Sequence, residues 1–354
     1  MIPMSSVMEN KRIFWADACR VLAILGVILI HSSGATFYSY GKIPIGHWLS
    51  ANFIDSLARV GVPLFVMISG ALLLKTAHSP TISFISIGRR IVKVLLPLIA
   101  WSMFYLWWVY FNTPSAIISP LEWLRQFLSH PVMYHLWFVY VIIGLYILLP
   151  IFQVLFKACE SEPRFAGYFF AVWMVINSLS IYIPMPFIVS MQITMLFGYG
   201  GYFLLGGVLK SPNWDHVSFF KWGMLYLTGV IFTFLITWMR TRSSGVPDEL
   251  GYSYFSPNVL IASVGAFMMV RKIHVPKGWE VQIVQRISDA CFFIYFVHIL
   301  VMEFLRHGTF GVKISTNDVH PILSIPILAL ATFVLSLALA VLVRLIPGSR
   351  RVFG

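Results

Sequence analysis

Residues Phe14–His31 read FWADACRVLAILGVILIH. At about 1.5 Å per residue this stretch carries a helix through most of a hydrocarbon core of roughly 30 Å. It is apolar except for Asp17, Arg20 and His31. It follows Lys11 and Arg12, as a secretory signal would. A removable signal, however, needs a small-residue cleavage site and an uncharged apolar region, and this stretch has neither. It therefore reads as a permanent first membrane span.

The same character recurs along all 354 residues, of which 59% are hydrophobic and 11% charged, with mean hydropathy +0.84. Soluble domains carry roughly 25% charged residues. The apolar runs are continuous rather than alternating, which selects helices over a closed barrel. They predict an all-α, polytopic bundle of about ten transmembrane helices, at roughly 13–36, 53–75, 91–111, 133–156, 165–184, 192–210, 220–239, 256–271, 289–306 and 321–345. The connections are short, and no linker, low-complexity tract or internal repeat interrupts them. Residues 1–354 read as one integral membrane domain.

The net charge is +12. Placed on this helix pattern, the 25 Lys and Arg divide 17 to 6 between the two sides, with Arg20 and Arg59 inside spans. Such asymmetry puts the richer side, and with it both termini, in the cytoplasm. No basic helix or tract stands out, which argues against a nucleic-acid partner. Cys19, Cys159 and Cys291 map near cytoplasmic helix ends and match no zinc or CxxC spacing, so neither a metal nor a disulfide is expected.

Ionisable groups inside spans are costly and usually functional. Arg20 and His31 are eleven residues apart, close to three helical turns, so they share a face about 16 Å apart along the axis. Asp17 is three residues before Arg20 and can pair with it. In the second helix Asp55 and Arg59 form an i, i+4 pair, read either as a solvated surface pair or as part of a site. Ser69 and Gly70 permit close helix approach. His135 and Trp137 open the fourth helix, and His298 lies mid-way along the ninth, with Glu303 beyond it. Arg89, Arg90 and Lys93 precede the third helix. They are either topological anchors or a cradle for phosphate. Tyr38, Tyr40, Trp48 and Trp123 suit an interfacial belt or stacking on sugar faces.

These residues form a pattern. Arg20 followed after ten residues by His31 resembles the signature of the acyltransferase-3 family. The resemblance extends to VGVPLFVMISGALLL (60–74), RRIVKVLLP (89–97), HLWFVYVIIGLYILLP (135–150) and FIYFVHIL (293–300). Within the family it is most similar to the branch containing the O-acetyltransferase of enterobacterial common antigen. The chain departs from the pattern in having Pro63, Leu64 and Phe65 where two Phe are common. It also has Lys93 where a second Arg is common, and Lys lacks bidentate phosphate geometry.

The resemblance implies an O-acyltransferase, with acetyl the family's usual acyl group, in the bacterial inner membrane. It would move an acyl group from cytoplasmic acetyl-CoA, a co-substrate rather than a resident cofactor, to a hydroxyl of a cell-surface or lipid-linked glycan. His31 would be the general base or a transient acyl acceptor. Arg20, held by Asp17, would position the thioester. Arg59, His135, Trp137 and His298 would bind substrate, and Arg89, Arg90 and Lys93 the CoA phosphates. A transporter or flippase for a lipid-linked glycan also fits buried ion pairs and a membrane histidine. That rival predicts inverted repeats with broken helices in matching positions, which the sequence does not display.

Overall fold

In the computed structural model, which describes residues 12–74, 83–112, 119–182, 191–276, 278–309, 311, 313–314 and 319–354, the chain runs from helix to helix, with no strand among the described residues. The helices are α1 (Phe14–Phe37), α2 (Ile45–Ala58), α3 (Gly61–Leu73), α4 (Phe84–Asn112), α5 (Pro120–Ser129), α6 (Trp137–Ile147) and α7 (Leu149–Ser161). They continue with α8 (Pro163–Tyr182), α9 (Met191–Leu209), α10 (Phe219–Ser244), α11 (Pro257–Arg271), α12 (Trp279–His307), α13 (Pro321–Val343) and α14 (Ser349–Phe353). Among the described residues eight spans are long and apolar enough to cross a membrane, α2 and α3 counting together as one. A ninth is added if the bent pair with α6 and α7 is one span. The fold is thus an all-helical, multi-pass bundle.

Two expected spans are broken, each at a proline. The second begins at Ile45, earlier than expected, and is interrupted at Arg59 and Val60. Pro63 has no N–H to return to the Arg59 carbonyl, and its ring crowds that turn. The fourth is not one helix over 133–156. It opens with a 3-10 turn, Tyr134–Leu136, and bends by 68° between α6 and α7. Pro150 cannot bond back to Tyr146, so the turn before it opens. The expected ends at 75 and 183–184 lie outside the described residues. The short α5 and α14 were invisible to a reading built on spans.

α1 runs parallel to α12 and in register with it. Ser288 donates to Asp17 at 2.6 Å, and Ser32 lies 4.0 Å from the Met302 sulfur. Arg12, just before α1, and Arg344, just after α13, both reach Asp289. The start of α1 and the end of α13 therefore share one end of the bundle, here the basal end. Starting and finishing on one side requires an even number of crossings.

α3 and α9 meet backbone to backbone. A Cβ on Gly70 would lie 1.8 Å from the Phe203 carbonyl oxygen, and one on Gly206 would lie 2.0 Å from that of Met67. Small residues allow such contact, and in lipid that packing drives association. Gly206→Val should therefore push the two helices apart at a cost of about 1–3 kcal/mol or more. Gly167→Ala, where an added Cβ meets nothing within 4 Å, should be neutral or slightly stabilising. Melting of the two detergent-solubilised variants checks this, and equal melting would mean the contact is not tight.

Candidate active site

Two clusters sit on α1, one at each end. The far-end cluster is built on imidazoles. His31 lies 5.3 Å, ring centre to ring centre, from both His298 of α12 and Tyr134. His298 is 5.2 Å from His135, which sits in the 3-10 turn before α6. The break in the fourth span thus delivers His135 and Tyr134 to the cluster. The Tyr295 hydroxyl donates to the His135 carbonyl and holds that turn against α12.

The histidines differ in their bonding. His298 Nδ1 is 2.6 Å from the Tyr295 carbonyl, which only accepts, so Nδ1 carries the proton. Its Nε2 and both ring nitrogens of His135 are buried with no partner in the protein among the described residues. Buried polar atoms are nearly always paired, so three such nitrogens at one place mark a site for polar chemistry. His31 is only partly buried.

Two arginines flank this cluster. Arg306 donates to the His31 carbonyl at 2.8 Å and to Glu303 at 3.3 Å. Arg59, at the break between α2 and α3, binds Asp55 at 2.5 Å, and Ser33 of α1 donates to the same carboxylate at 2.9 Å. The Arg59 side chain is 12% exposed and that of Asp55 3%, so the pair is buried and the solvated reading falls. Its guanidinium lies 4.1 Å from the centre of the Tyr252 ring and 6.0 Å from that of Tyr254, a cation–π arrangement. Trp137 packs on Tyr254 and Tyr199, so Trp137 and Arg59 share an aromatic wall.

The basal cluster centres on Asp17, which is 1% exposed. Its carboxylate accepts from Arg12 at 2.7 and 3.1 Å, from Arg20 at 3.1 Å and from Ser288 at 2.6 Å. These contacts fix Arg12, Arg20 and Ser288 around one carboxylate. The Arg12 guanidinium is held above its ordinary pKa, first by Asp17 and also by Asp289, against the opposing effect of burial. Arg20 also lies 3.4 Å from the Ser288 hydroxyl. Arg20 and His31 therefore belong to different clusters, and it is Arg59 and Arg306 that the fold brings toward His31.

An inner cavity of about 360 Å³ runs from Arg20, Lys93 and Ser288 to Phe138 and Tyr295, with Ser69 on its wall. Tyr295 is also 5.9 Å from His298. A wider basal cavity of about 950 Å³ is lined by Arg89, Lys93, Arg344, Arg350 and Arg351. The two share Lys93, Asp289 and Phe292, so they adjoin. Arg90, expected beside Arg89 and Lys93, lines neither.

Trp48, read as a surface ring, is fully buried, with its indole N–H donating to the Phe37 carbonyl at 2.8 Å. Tyr38 is exposed and donates to Glu249 at 2.5 Å. The side chain of Trp123 lies outside the described residues. Among the described residues no three His, Cys, Asp or Glu side chains are placed to hold one metal ion. The three cysteines are free and buried.

Sequence reasoning missed Arg12, Tyr134, Tyr252, Tyr254, Ser288, Arg306 and the arginines after α13. Only Arg306 carried a local signal, its i, i+3 spacing from Glu303. No curated protein and no solved structure matches the chain. A family model described as an acyltransferase domain matches residues 13–341, nearly the whole chain. With the histidine cluster, the inner cavity and all of the basal cluster but Arg12 inside the matched stretch, the chain belongs to the acyltransferase-3 family and is a membrane acyltransferase.

Proposed function

We propose that the protein is an acyl-CoA-dependent O-acyltransferase that moves an acetyl group to a hydroxyl of a cell-surface or lipid-linked glycan. The basal end would face the cytoplasm of a bacterial inner membrane. The pattern of the second and fourth spans favours the branch containing the O-acetyltransferase of enterobacterial common antigen. The observation that carries the reading is the pair of adjoining cavities. A basic basal chamber adjoins a smaller, largely apolar one whose lining includes Tyr295, a ring neighbour of His135 and His298. A CoA thioester has the matching order of parts, with phosphates at one end and an uncharged arm leading to the acyl group.

Arg89 and Lys93 bind donor phosphates, while Arg90 supports the positive field of that end. Arg20, fixed by Asp17, holds the arm on the cavity wall. His31 acts as general base. It takes the proton from the acceptor hydroxyl as that oxygen bonds to the thioester carbonyl carbon. The carbon–sulfur bond then breaks, and the imidazolium returns the proton to the leaving thiolate. Arg59 steadies negative charge developing on the carbonyl oxygen. His298 and His135 hold the reacting groups, and Trp137 with its aromatic wall suits a sugar face.

The test is transfer of radiolabel from acetyl-CoA to glycan in sealed membrane vesicles. Arg20→Ala should raise the KM for acetyl-CoA by about tenfold or more, as loss of a charge-assisted contact implies. It should alter kcat less. Absence of label in wild-type vesicles, with donor and glycan both present, overturns the reading.

A further inference from the structure

The segment after α13 lies over the basal cavity, and its arginines form a feature the proposed chemistry does not use. α14 is tied to α4 by the Trp101 indole N–H, which donates to the Phe353 carbonyl at 3.2 Å. That anchor sets Arg350 and Arg351 on the cavity wall with Arg344, Arg89 and Lys93. Five cations thus face one chamber in which Asp289, the one acidic side chain among the described lining residues, is already bound by Arg12 at 2.9 Å. Among the described residues none of the five makes a salt bridge. Arg344 donates from Nη2 to the Asp289 backbone carbonyl at 2.6 Å, while its buried Nε has no partner. Like charges held this close repel unless an anion joins them, and phosphate is the anion that guanidinium groups match best.

The order of residues along the cavities assigns the phosphates. Lys93 stands where the chambers meet, next to where an uncharged arm would enter, so it faces the diphosphate. Arg350 and Arg351 line only the outer chamber, farther from the arm. We infer that Arg350 and Arg351 bind the ribose phosphate of the acyl-CoA donor, so that the segment after α13 sets the preference for CoA over dephospho-CoA. This rests on the acyl-CoA reading above. The same chemistry would also serve a phospholipid headgroup.

The test compares the full-length wild type with Arg350→Gln/Arg351→Gln in nanodiscs. CoA and dephospho-CoA are titrated separately in zwitterionic lipid and in lipid containing phosphatidylglycerol. Both side chains are exposed, so the variant should fold. The expected result is that wild type prefers CoA by about tenfold or more. The variant should lose that preference while its affinity for dephospho-CoA stays unchanged. Retained preference in the variant overturns the inference and leaves the proposed function standing. Wild type that binds neither nucleotide overturns both. An unchanged CoA affinity with loss of the response to phosphatidylglycerol assigns the arginines to a lipid headgroup and overturns the donor role.

Discussion

Replacing His31 by alanine is expected to abolish acyl transfer while leaving the protein in the membrane at wild-type levels. General-base catalysis contributes about 10²–10⁴-fold, and transfer should fall by that much or more if the imidazole also carries the acyl group. The fold should tolerate the change. The bond that ties Arg306 to this turn of α1 is made by the His31 carbonyl, which the substitution keeps. The variant should still bind CoA, because the basal cavity is lined by other residues. Label retained on the wild-type protein when acceptor is withheld, and missing from His31→Ala, would indicate an acyl-histidine intermediate. Near-wild-type transfer by His31→Ala at equal expression would remove the residue from the chemistry.

The second large effect is expected at Asp55 and Arg59. Breaking a buried ion pair from one side leaves a charge without its partner, at a cost of about 3–5 kcal/mol. Both Asp55→Asn and Arg59→Gln should therefore melt well below wild type in detergent. The double variant Asp55→Asn/Arg59→Gln removes both charges and should recover much of that loss. It should not recover transfer, because Arg59 is the cation assigned to the carbonyl oxygen. Single variants that melt with wild type would mean that water reaches the pair. A double variant with full activity would make the pair purely structural.

These two expectations differ in how far the sequence alone reaches them. His31 is conspicuous as an imidazole in an apolar run, eleven residues from Arg20. The burial of Asp55 and Arg59 is not conspicuous, since an i, i+4 pair near a span end reads equally well as solvated. Burial there follows from Ser33 of α1 and the Tyr252 ring closing over the pair. Trp48 is the opposite case. An aromatic near a span end suggests an interfacial ring, yet the Phe37 carbonyl and neighbouring rings take it inside.

The residue order by itself determined that the chain is helical, where most of its spans lie, and that α1 carries polar groups within an apolar run. These are local properties: a run of apolar residues in lipid must satisfy its own backbone, and a helix does so within a few turns. Tertiary structure alone decided which polar groups meet. His31, His135 and His298 come from three separate helical elements and converge only because α12 lies in register along α1 and because the fourth span breaks to deliver a short turn. Arg306 reaches the His31 carbonyl from 275 residues away. The arginines after α13 likewise join Arg89 and Lys93 only once α14 is tied to α4. Such pairings depend on helix register and packing across the bundle, which no local pattern of residues encodes.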